Sequence, residues 1–346
     1  MTAALDVPVQ GRTLTSGPAR RWGLSVGLVL ALAAAALVAG LSLAVGSNQL
    51  PLSTVWQGLV SPDDSFASTV VSSRIPRTVL GLLVGAGLAA AGALMQGITR
   101  NPLADPGLLG VNAGASAAVV LGTVVLGSLG QRAVLLAIPG AFLAAAVVYA
   151  IGSGRSGPTP VRLVLAGAAI TAALMAGIQA ITLTNPTVFD SYRFWVVGSL
   201  AGRPSSVVDM IWPVVAVGLV AALALGRPLN TLALGDETAR ALGGNAGRTR
   251  LIGALVATAL AGACTAAVGP IAFVGLAVPH IVRTFTGSDY RWLMAYSVAL
   301  GPVLLLGADV VGRIVARPGE LMVGVVTAFV GAPFLYVAVR RSGSGM

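Results

Sequence analysis

Long apolar runs alternate with short polar turns along most of this chain. A helix needs roughly 20 apolar residues to cross about 30 Å of hydrocarbon. The pattern therefore predicts an all-α, polytopic membrane protein with about ten transmembrane helices and no appended soluble domain. The predicted spans are 23–46, 78–98, 107–128, 132–152, 161–184, 207–227, 249–269, 270–283, 292–312 and 320–339.

The predicted spans form one transmembrane domain over 22–341, flanked by a tail at 1–21 and a short tail at 342–346. The eighth span is too short to cross a bilayer unless neighbouring helices accommodate it. The segment 190–206 is predicted to contain a short helix outside the membrane.

Composition supports a membrane protein and excludes several other classes. Hydrophobic residues make up 56% of the chain and charged residues 9%, which is not typical of a soluble domain. The net charge of +10 comes from arginines scattered over the loops, a pattern that predicts membrane topology rather than nucleic-acid binding. All 21 basic residues are arginine, so the chain lacks the lysine of a Walker A nucleotide site. Cys264 is the single cysteine, which excludes a disulfide within the chain.

The arginines also predict orientation, because cytoplasmic loops of membrane proteins are enriched in basic residues. With ten spans and a cytoplasmic N-terminus, both termini lie in the cytoplasm, and fourteen of the 21 arginines are cytoplasmic. The outer arginines are then Arg74, Arg77, Arg132, Arg193, Arg203, Arg313 and Arg317.

The polar segment 235–250 interrupts two apolar runs and is placed in the cytoplasm by this topology. Asp236 is predicted to cap a short helix, with Glu237 in its first turn, and Gly243 is predicted to end it in a left-handed turn. About two helical turns are too short to be stable alone. The segment therefore predicts a surface that another protein grips.

Three of the outer arginines, Arg74, Arg77 and Arg313, admit two interpretations. They can reach outer lipid head groups, with Arg313 paired to Asp309 four residues earlier. They can also dock an acidic partner. Spacing alone favours the first interpretation.

Other candidate positions carry weaker signals. Asn101, Pro102 and Asp105 belong to a proline-rich hairpin that either is purely structural or lines a gate or contacts the same partner as 235–250. His280, the single histidine, has no neighbouring ligands, so no metal site is predicted. We find no nucleophile–base pair either, which argues against an enzyme.

Several blocks resemble the permease subunits of iron–siderophore, haem and cobalamin ABC importers, the FecCD type. The resemblance covers about residues 25 to 340 and is closest to the ferric-enterobactin type. The blocks that carry it are Arg74-Ile-Pro-Arg77, Gly85 to Gln96, Thr99 to Ser116, Asn185 to Trp195, Leu229-Asn230 with 235–250, Gly269 to His280, Arg317 to Leu321 and Gly324 to Pro333. The chain departs from the family's Glu-Leu-Pro pattern at Met322. Pro160 and Val161 stand where the cobalamin member has the small hydroxyl residues of a cytoplasmic gate.

The resemblance implies the type II ABC importer permease fold and a transport subunit in the bacterial cytoplasmic membrane. Its implied partners are a second permease, favoured as a paralogue, two ATPase subunits that hold ATP and Mg, and an extracytoplasmic siderophore-binding protein. It assigns docking of that protein to Arg74, Arg77 and Arg313. It assigns ATPase coupling to Asp236, Glu237, Arg240, Ala241, Leu242 and Gly243.

The resemblance leaves the cargo open between a ferric siderophore and haem or cobalamin. An ion-coupled secondary transporter is the alternative of another class, and it requires a carboxylate in mid-membrane. Asp209, Asp309 and Glu320 all lie near predicted span ends instead. A membrane scaffold would leave the capped helix and the outer arginines without a joint purpose.

Overall fold

A computed structural model describes residues 18–48, 50–154 and 157–343, and over these ranges the chain is almost entirely helical. A two-residue antiparallel ladder pairs β1 (Ser153–Gly154) with β2 (Gly157–Pro158). The α-helices are α1 (Pro18–Ala44), α2 (Leu52–Val60), α3 (Phe66–Thr99), α4 (Val111–Leu126), α5 (Ala133–Gly152), α6 (Pro160–Thr184), α7 (Pro186–Val196), α8 (Ser205–Ala224), α9 (Gly226–Ala233), α10 (Asp236–Ala241), α11 (Ala246–Val268), α12 (Val274–Thr286), α13 (Tyr290–Val315) and α14 (Val323–Gly343).

Each of the ten predicted spans overlaps one of these helices, which confirms the predicted fold class. They are α1, α3, α4, α5, α6, α8, α11, α12, α13 and α14. Among the described residues, seven helical segments are long and apolar enough to cross a membrane. The others, α4, α12 and the apolar part of α14, are shorter, so they depend on neighbouring helices for their place in the bundle.

Several helix bounds differ from the predictions. The predicted second span began at residue 78, but α3 begins at Phe66, where the Ser65 hydroxyl accepts a hydrogen bond from the Ser68 amide. Pro76 therefore lies inside the helix, since packing against neighbouring helices supports a backbone that has lost one donor. The 34 residues of α3 rise about 50 Å. α1 and α14 extend into the predicted tails, whose residues 1–17 and 344–346 lie outside the described ranges.

The bounds of the helix predicted within 190–206 and of the eighth span also differ from the predictions. The first is α7, which ends at Val196. The second is α12, whose 13 residues rise about 20 Å. Before it, the backbone at Gly269 and Phe273 takes positive φ values of 82° and 71°, so the chain turns between α11 and α12 without forming regular structure.

The core forms around α3, which packs against α1, α8, α11, α12 and α13. Glycines allow the closest approaches, as small residues do in membrane bundles. A Cβ on Gly92 would lie 1.7 Å from the carbonyl oxygen of Gly275 on α12. A Cβ on Gly85 would lie 2.6 Å from the backbone nitrogen of Pro302 on α13. α3 is therefore held against two helices at backbone distance.

The two ends of the bundle carry different chemistry. We call one end the arginine end: α1 ends there, α3 begins there, and α13 ends there beside Arg74, Arg77 and Arg313. We call the opposite end the α10 end, where α3 ends and α11 and α13 begin. α3 and α13 both run the full distance between them.

Candidate functional site

α10 is a single short helix on the surface, bounded by two glycines. Gly235 precedes it with φ 114° and Gly243 follows it with φ 78°, a conformation that residues with a Cβ rarely adopt. Its inner side is anchored by Ala239, which is buried. Its exposed residues are Glu237, Thr238, Arg240, Ala241, Leu242 and Gly243. The predicted coupling residues therefore form one exposed surface, with Asp236 as the exception.

Two leucines at the edges of this surface are exposed although they are apolar. Leu234 precedes α10 and is 63% exposed, and Leu242 follows it and is 62% exposed. Exposed apolar side chains grouped on a polar surface are typical of a protein contact. The α10 surface, defined as 234–243, thus combines apolar anchors with the charges of Glu237 and Arg240.

Asp236 ties α10 to two long helices instead of capping it, which corrects the sequence prediction. Gly235 occupies the N-cap position, and Asp236 is the first residue of the helix. Arg250 of α11 donates to both carboxylate oxygens at 2.7 and 2.8 Å, and Arg100 at the end of α3 donates to Oδ1. These hydrogen bonds from Arg250, together with the charges of both arginines, outweigh partial burial and lower the pKa of Asp236 to about 2. Both arginines make charge-assisted contacts with Asp236, and the contact of Arg250 is bidentate.

A second tie fixes the segment before α10. Asn230 of α9 donates to Asp289 Oδ1 at 2.7 Å and accepts from the backbone amide of Tyr290 at 2.7 Å. Asp289 also caps α13 by accepting from the backbone amide of Arg291. The segment 229–250 is therefore bonded to the ends of α3, α11 and α13.

At the arginine end, two buried arginines bind the C-terminus of α1. Arg74 donates to the carbonyls of Leu43, Ala44 and Asn48 at 2.8–2.9 Å. Arg313 donates to the carbonyls of Ser42 and Val45 and to the Ser42 hydroxyl. The carbonyls of Ser42, Leu43 and Ala44 lie in the last turn of α1, where they lack intrahelical partners and the helix dipole favours a cation, and those of Val45 and Asn48 lie just beyond it.

Asp309 is the acidic centre of the arginine end. It is buried on α13 and pairs with Arg313, as the i, i+4 spacing predicted, and with Arg77 of α3 at 2.8 Å. Arg77 also pairs with Glu320 at 2.7 Å. Burial raises the pKa of Glu320, but the contacts with Arg77 and Ser47 outweigh it, so this pKa lies below its usual value.

A cavity of about 450 Å³ opens beside this network. Its lining includes Arg74, Arg77, Arg203 and Arg313 together with Glu320. Asp309 does not line the cavity but is paired with two of these arginines. Four arginines and two carboxylates therefore give the cavity and its surroundings a net positive charge. Of the three predicted docking residues, Arg74 is 5% exposed and Arg313 is 1% exposed, while the Arg77 side chain is 11% exposed.

The predicted hairpin folds partly into the bundle. Asn101 and Pro102 lie on the surface. Asp105, in contrast, lines a small cavity with Leu88 of α3 and Gly275 of α12, and its Oδ1 accepts from the backbone amide of Gly107. Asp105 thus has a structural role, since its carboxylate caps the 3-10 turn Pro106–Leu109, and its assignment to a gate or a partner contact stays a prediction.

The two remaining candidate gate residues stand at the start of α6. Pro160 is its first residue, a position where the missing amide costs no intrahelical bond. Val161 is 68% exposed. The hydrogen bonds and ion pairs of the described residues do not join Pro160 or Val161 to Asp105.

Sequence reasoning missed four residues that fix these sites: Arg100, Asn230, Arg250 and Asp289. Three of them lay in quoted motifs, but nothing in the spacing specified their partners, which come from other helices. One sequence signal was available for Arg100: the Asn-Pro pair that follows it disfavours a continued helix. In the structure, Arg100 comes directly after the last turn of α3 and has a φ of 51°.

Comparison with known proteins agrees with this architecture. Residues 28–341 match the FecCD transport family. The chain is 48% identical to the ferric enterobactin transport system permease protein FepD of Escherichia coli (strain K12), over 89% of this chain and 93% of FepD. It is 42% identical to the Fe(3+)-citrate import system permease protein YfmD of Bacillus subtilis (strain 168), over 87% of this chain and 90% of YfmD.

Two further comparisons extend to haem and to a solved structure. The chain is 35% identical to the hemin transport system permease protein HmuU of Yersinia pestis, over 86% of this chain and 90% of HmuU. A solved structure of a metal-chelate type ABC transporter in an inward-facing conformation superposes with a TM-score of 0.78 at 27% identity, over 92% of this chain and 98% of that one. The family match covers most of the chain, and the fold and the relatives agree with it: this protein belongs to the FecCD transport family.

Proposed function

We propose that this chain is the permease subunit of an ATP-driven importer that carries ferric siderophores across the bacterial cytoplasmic membrane. The α10 surface is the observation that carries the proposal, because it offers apolar anchors for a partner and is bonded through Asp236 to two long helices, α3 and α11. The 48% identity to a ferric enterobactin permease supports the cargo class. Haem is the second candidate, supported by the 35% identity to a hemin permease.

The α10 surface is proposed to bind an ATPase subunit that holds ATP and Mg. Leu234 and Leu242 would enter an apolar groove of that subunit, and Glu237 and Arg240 would fix orientation at the rim. Because Asp236 is bonded to α3 and α11, force on α10 reaches both helices without first deforming a loop.

Transmission through the membrane is proposed to follow α3 and α13. α3 joins Arg100 at the α10 end to Arg74 and Arg77 at the arginine end. α13 joins the Asn230–Asp289 tie to Asp309 and Arg313. Since both helices are fixed at both ends and pack together closely, rigid-body tilting is the motion that this arrangement favours.

The positive cavity at the arginine end is proposed to receive an acidic side chain of an extracytoplasmic binding protein. Arg77 is the member whose guanidinium borders solvent, and Arg74 and Arg313 would hold α1 and the cavity wall in place. In this proposal, the α10 end and both termini face the cytoplasm, and a second permease, favoured as a paralogue, completes the translocation path.

Vesicle transport tests the ATPase assignment. The chain, its partner permease and the ATPase of the same system are reconstituted, and ⁵⁵Fe-siderophore uptake and ATP hydrolysis are measured. Leu242→Asp on the α10 surface should abolish the coupling of hydrolysis to uptake, because it places a charge in an apolar contact. The matched control, Ser61→Asp, adds the same charge on an exposed residue near the arginine end and should leave coupling intact.

Two outcomes contradict the proposal. Full coupling in Leu242→Asp removes α10 from the ATPase contact. Uptake that continues without ATP and stops with an uncoupler instead assigns the chain to ion-coupled transport. Parallel uptake of labelled haem separates the two cargo candidates.

A further inference from the structure

A large apolar groove lies on the side of the bundle, apart from both ends. It measures about 900 Å³ and lies between α5 and α11, with α4 beneath it. Its lining is apolar except for the hydroxyl groups of Tyr149 and Thr258. Leu143 of α5 and Leu255 of α11 line it and are 68% and 51% exposed. A ligand in this groove is therefore an apolar one that enters from the side.

The groove follows the helix axes. On α11, Leu251, Leu255 and Thr258 line it, at the spacing of one helical face. Moving one turn from Leu251 toward the start of α11 along the same face leads to Arg248. This face of α11 thus begins with the cation Arg248, and the leucines that follow it continue toward the middle of the membrane.

The groove extends toward the α10 end, where its lining includes Tyr149 and Leu251. Tyr149, in the last turn of α5, lines the groove. Arg250 is already paired with Asp236. Arg248 is exposed, and the ion pairs found among the described residues do not include it. A cation is therefore available where the apolar groove reaches the membrane surface.

We propose that this groove binds an anionic phospholipid of the leaflet at the α10 end. Its acyl chains lie between α5 and α11, and its phosphate group contacts the Arg248 guanidinium with the Tyr149 hydroxyl nearby. Apolar contact alone selects no lipid, because lipid tails are as apolar as leucine. Selectivity comes from the head group, where one arginine near the surface favours an anionic lipid about fivefold.

The other occupant to consider is a transmembrane helix of a second permease. A helix from a partner would cover the apolar walls, but it would not by itself compensate Arg248. The charge at the groove entrance is what favours the phospholipid. Its binding site would lie within one turn of Arg250, the residue that ties α10 to α11.

Lipid binding can be measured on the purified chain by native mass spectrometry. Phosphatidylglycerol and phosphatidylcholine with the same acyl chains are added separately, and the dissociation constant of the first bound lipid is compared. We expect about fivefold tighter binding of phosphatidylglycerol. Arg248→Ala should remove this preference, and Arg248→Lys should retain most of it. The control Arg132→Ala changes an exposed arginine at the other end of α5 and should keep the preference.

A second measurement locates the lipid without relying on a variant. Phosphatidylglycerol with a photoreactive acyl chain should label peptides that contain 139–150 and 251–258. Ala146→Trp, which fills the groove from an exposed position on α5, should reduce that labelling.

Three results overturn the proposal. One is equal binding of the two lipids by the unchanged chain. Another is an unchanged preference in Arg248→Ala, and the third is labelling that avoids both peptides. If Ala146→Trp instead shifts the mass from dimer to monomer without changing lipid binding, the groove is a contact between permeases.

Discussion

The bonds between Asp236, Arg100 and Arg250 predict how strongly α10 is held. A change in pKa from 3.8 to about 2 corresponds to about 2.5 kcal/mol for a carboxylate shielded from water. About a third of the Asp236 side chain is exposed, so solvent screening reduces this to about 1 kcal/mol. Removing one partner should therefore raise the population of detached α10 about fivefold, since 1.4 kcal/mol is a factor of ten.

A double-mutant cycle measures this energy directly. Asp236→Asn, Arg250→Gln and the double variant are purified in detergent, and hydrogen exchange of the amides in 235–245 is followed by mass spectrometry at pH 7. Each single variant should accelerate exchange about fivefold, and the double variant should be little worse than either. The coupling energy should be about 1 kcal/mol. Asp190 and Arg193 form an exposed pair at 3.0 Å and serve as the control cycle, for which a coupling energy below about 0.5 kcal/mol is expected.

The pH dependence supplies an independent check with a fixed sign. The folded state lowers the pKa of Asp236 from 3.8 to about 2, so its stabilising contribution is complete above about pH 5 and is lost as the pH falls toward 2. The difference in thermal stability between the unchanged chain and Asp236→Asn should therefore be constant between pH 5 and 7 and shrink below pH 4. Additive exchange rates in the cycle, or a difference that grows as the pH falls, would refute the reasoning.

Three further predictions concern helix packing, the buried charges and the hydrogen bonds at the start of α13. Gly92→Ala should prevent correct folding, because the added Cβ would lie 1.7 Å from the carbonyl oxygen of Gly275. The control Gly307→Ala, which has open space around its Cβ, should fold normally. Fluorescence-detected size-exclusion chromatography measures both. Asp309→Ala should destabilise the chain by about 3–5 kcal/mol, because it leaves two arginines without their buried carboxylate; unfolding that matches the unchanged chain would contradict this. Asn230→Ala should speed amide hydrogen exchange at the start of α13 about fivefold, since it removes two hydrogen bonds of 2.7 Å. Unchanged hydrogen exchange would show that Asp289 alone fixes that end of the helix.

The sequence predicted the fold well because apolar run length is a direct consequence of membrane thickness. It predicted bounds poorly where a helix continues beyond the hydrocarbon. α3 starts at Phe66 because Ser65 caps it there, a signal that is local and polar and that a search for apolar runs passes over. The short α12 was recognised as unusual, but the irregular backbone before it could not be placed without its neighbours.

The candidate sites were predictable in position and less so in detail. The segment 235–250 was identified as a surface because its charges and glycines are local features. The role of Asp236 depends on Arg100, which is 136 residues away in the chain, and no local pattern encodes that contact. The prolines around Asp105 predicted a tight hairpin, but they did not predict that Asp105 lies beside Leu88 of α3 and Gly275 of α12.

The same limit applies to the arginine end, with a consequence for experiments on docking. Arg74 and Arg313 satisfy the last carbonyls of α1, so replacing either one disturbs the end of that helix as well as the charge of the cavity. A loss of partner binding in such variants therefore has two causes that cannot be separated. Arg77 pairs only with side chains in the described contacts, and it borders solvent beside Glu320. Replacing Arg77 therefore leaves the contacts that hold α1 in place, but it also removes one partner of the buried Asp309 carboxylate.

Contacts at both ends of the same two helices constrain how the molecule can move. α3 and α13 rise about 50 and 40 Å, and they meet at backbone distance where Gly85 faces Pro302. At one end they hold Arg77 and Asp309 together, and at the other they hold the segment 229–250. A displacement of α10 that bent either helix would disturb this glycine contact or the buried ion pair, and breaking a buried pair costs about 3–5 kcal/mol. Tilting the pair as one body breaks neither, which is why rigid-body tilting is the motion that we propose to couple the two ends.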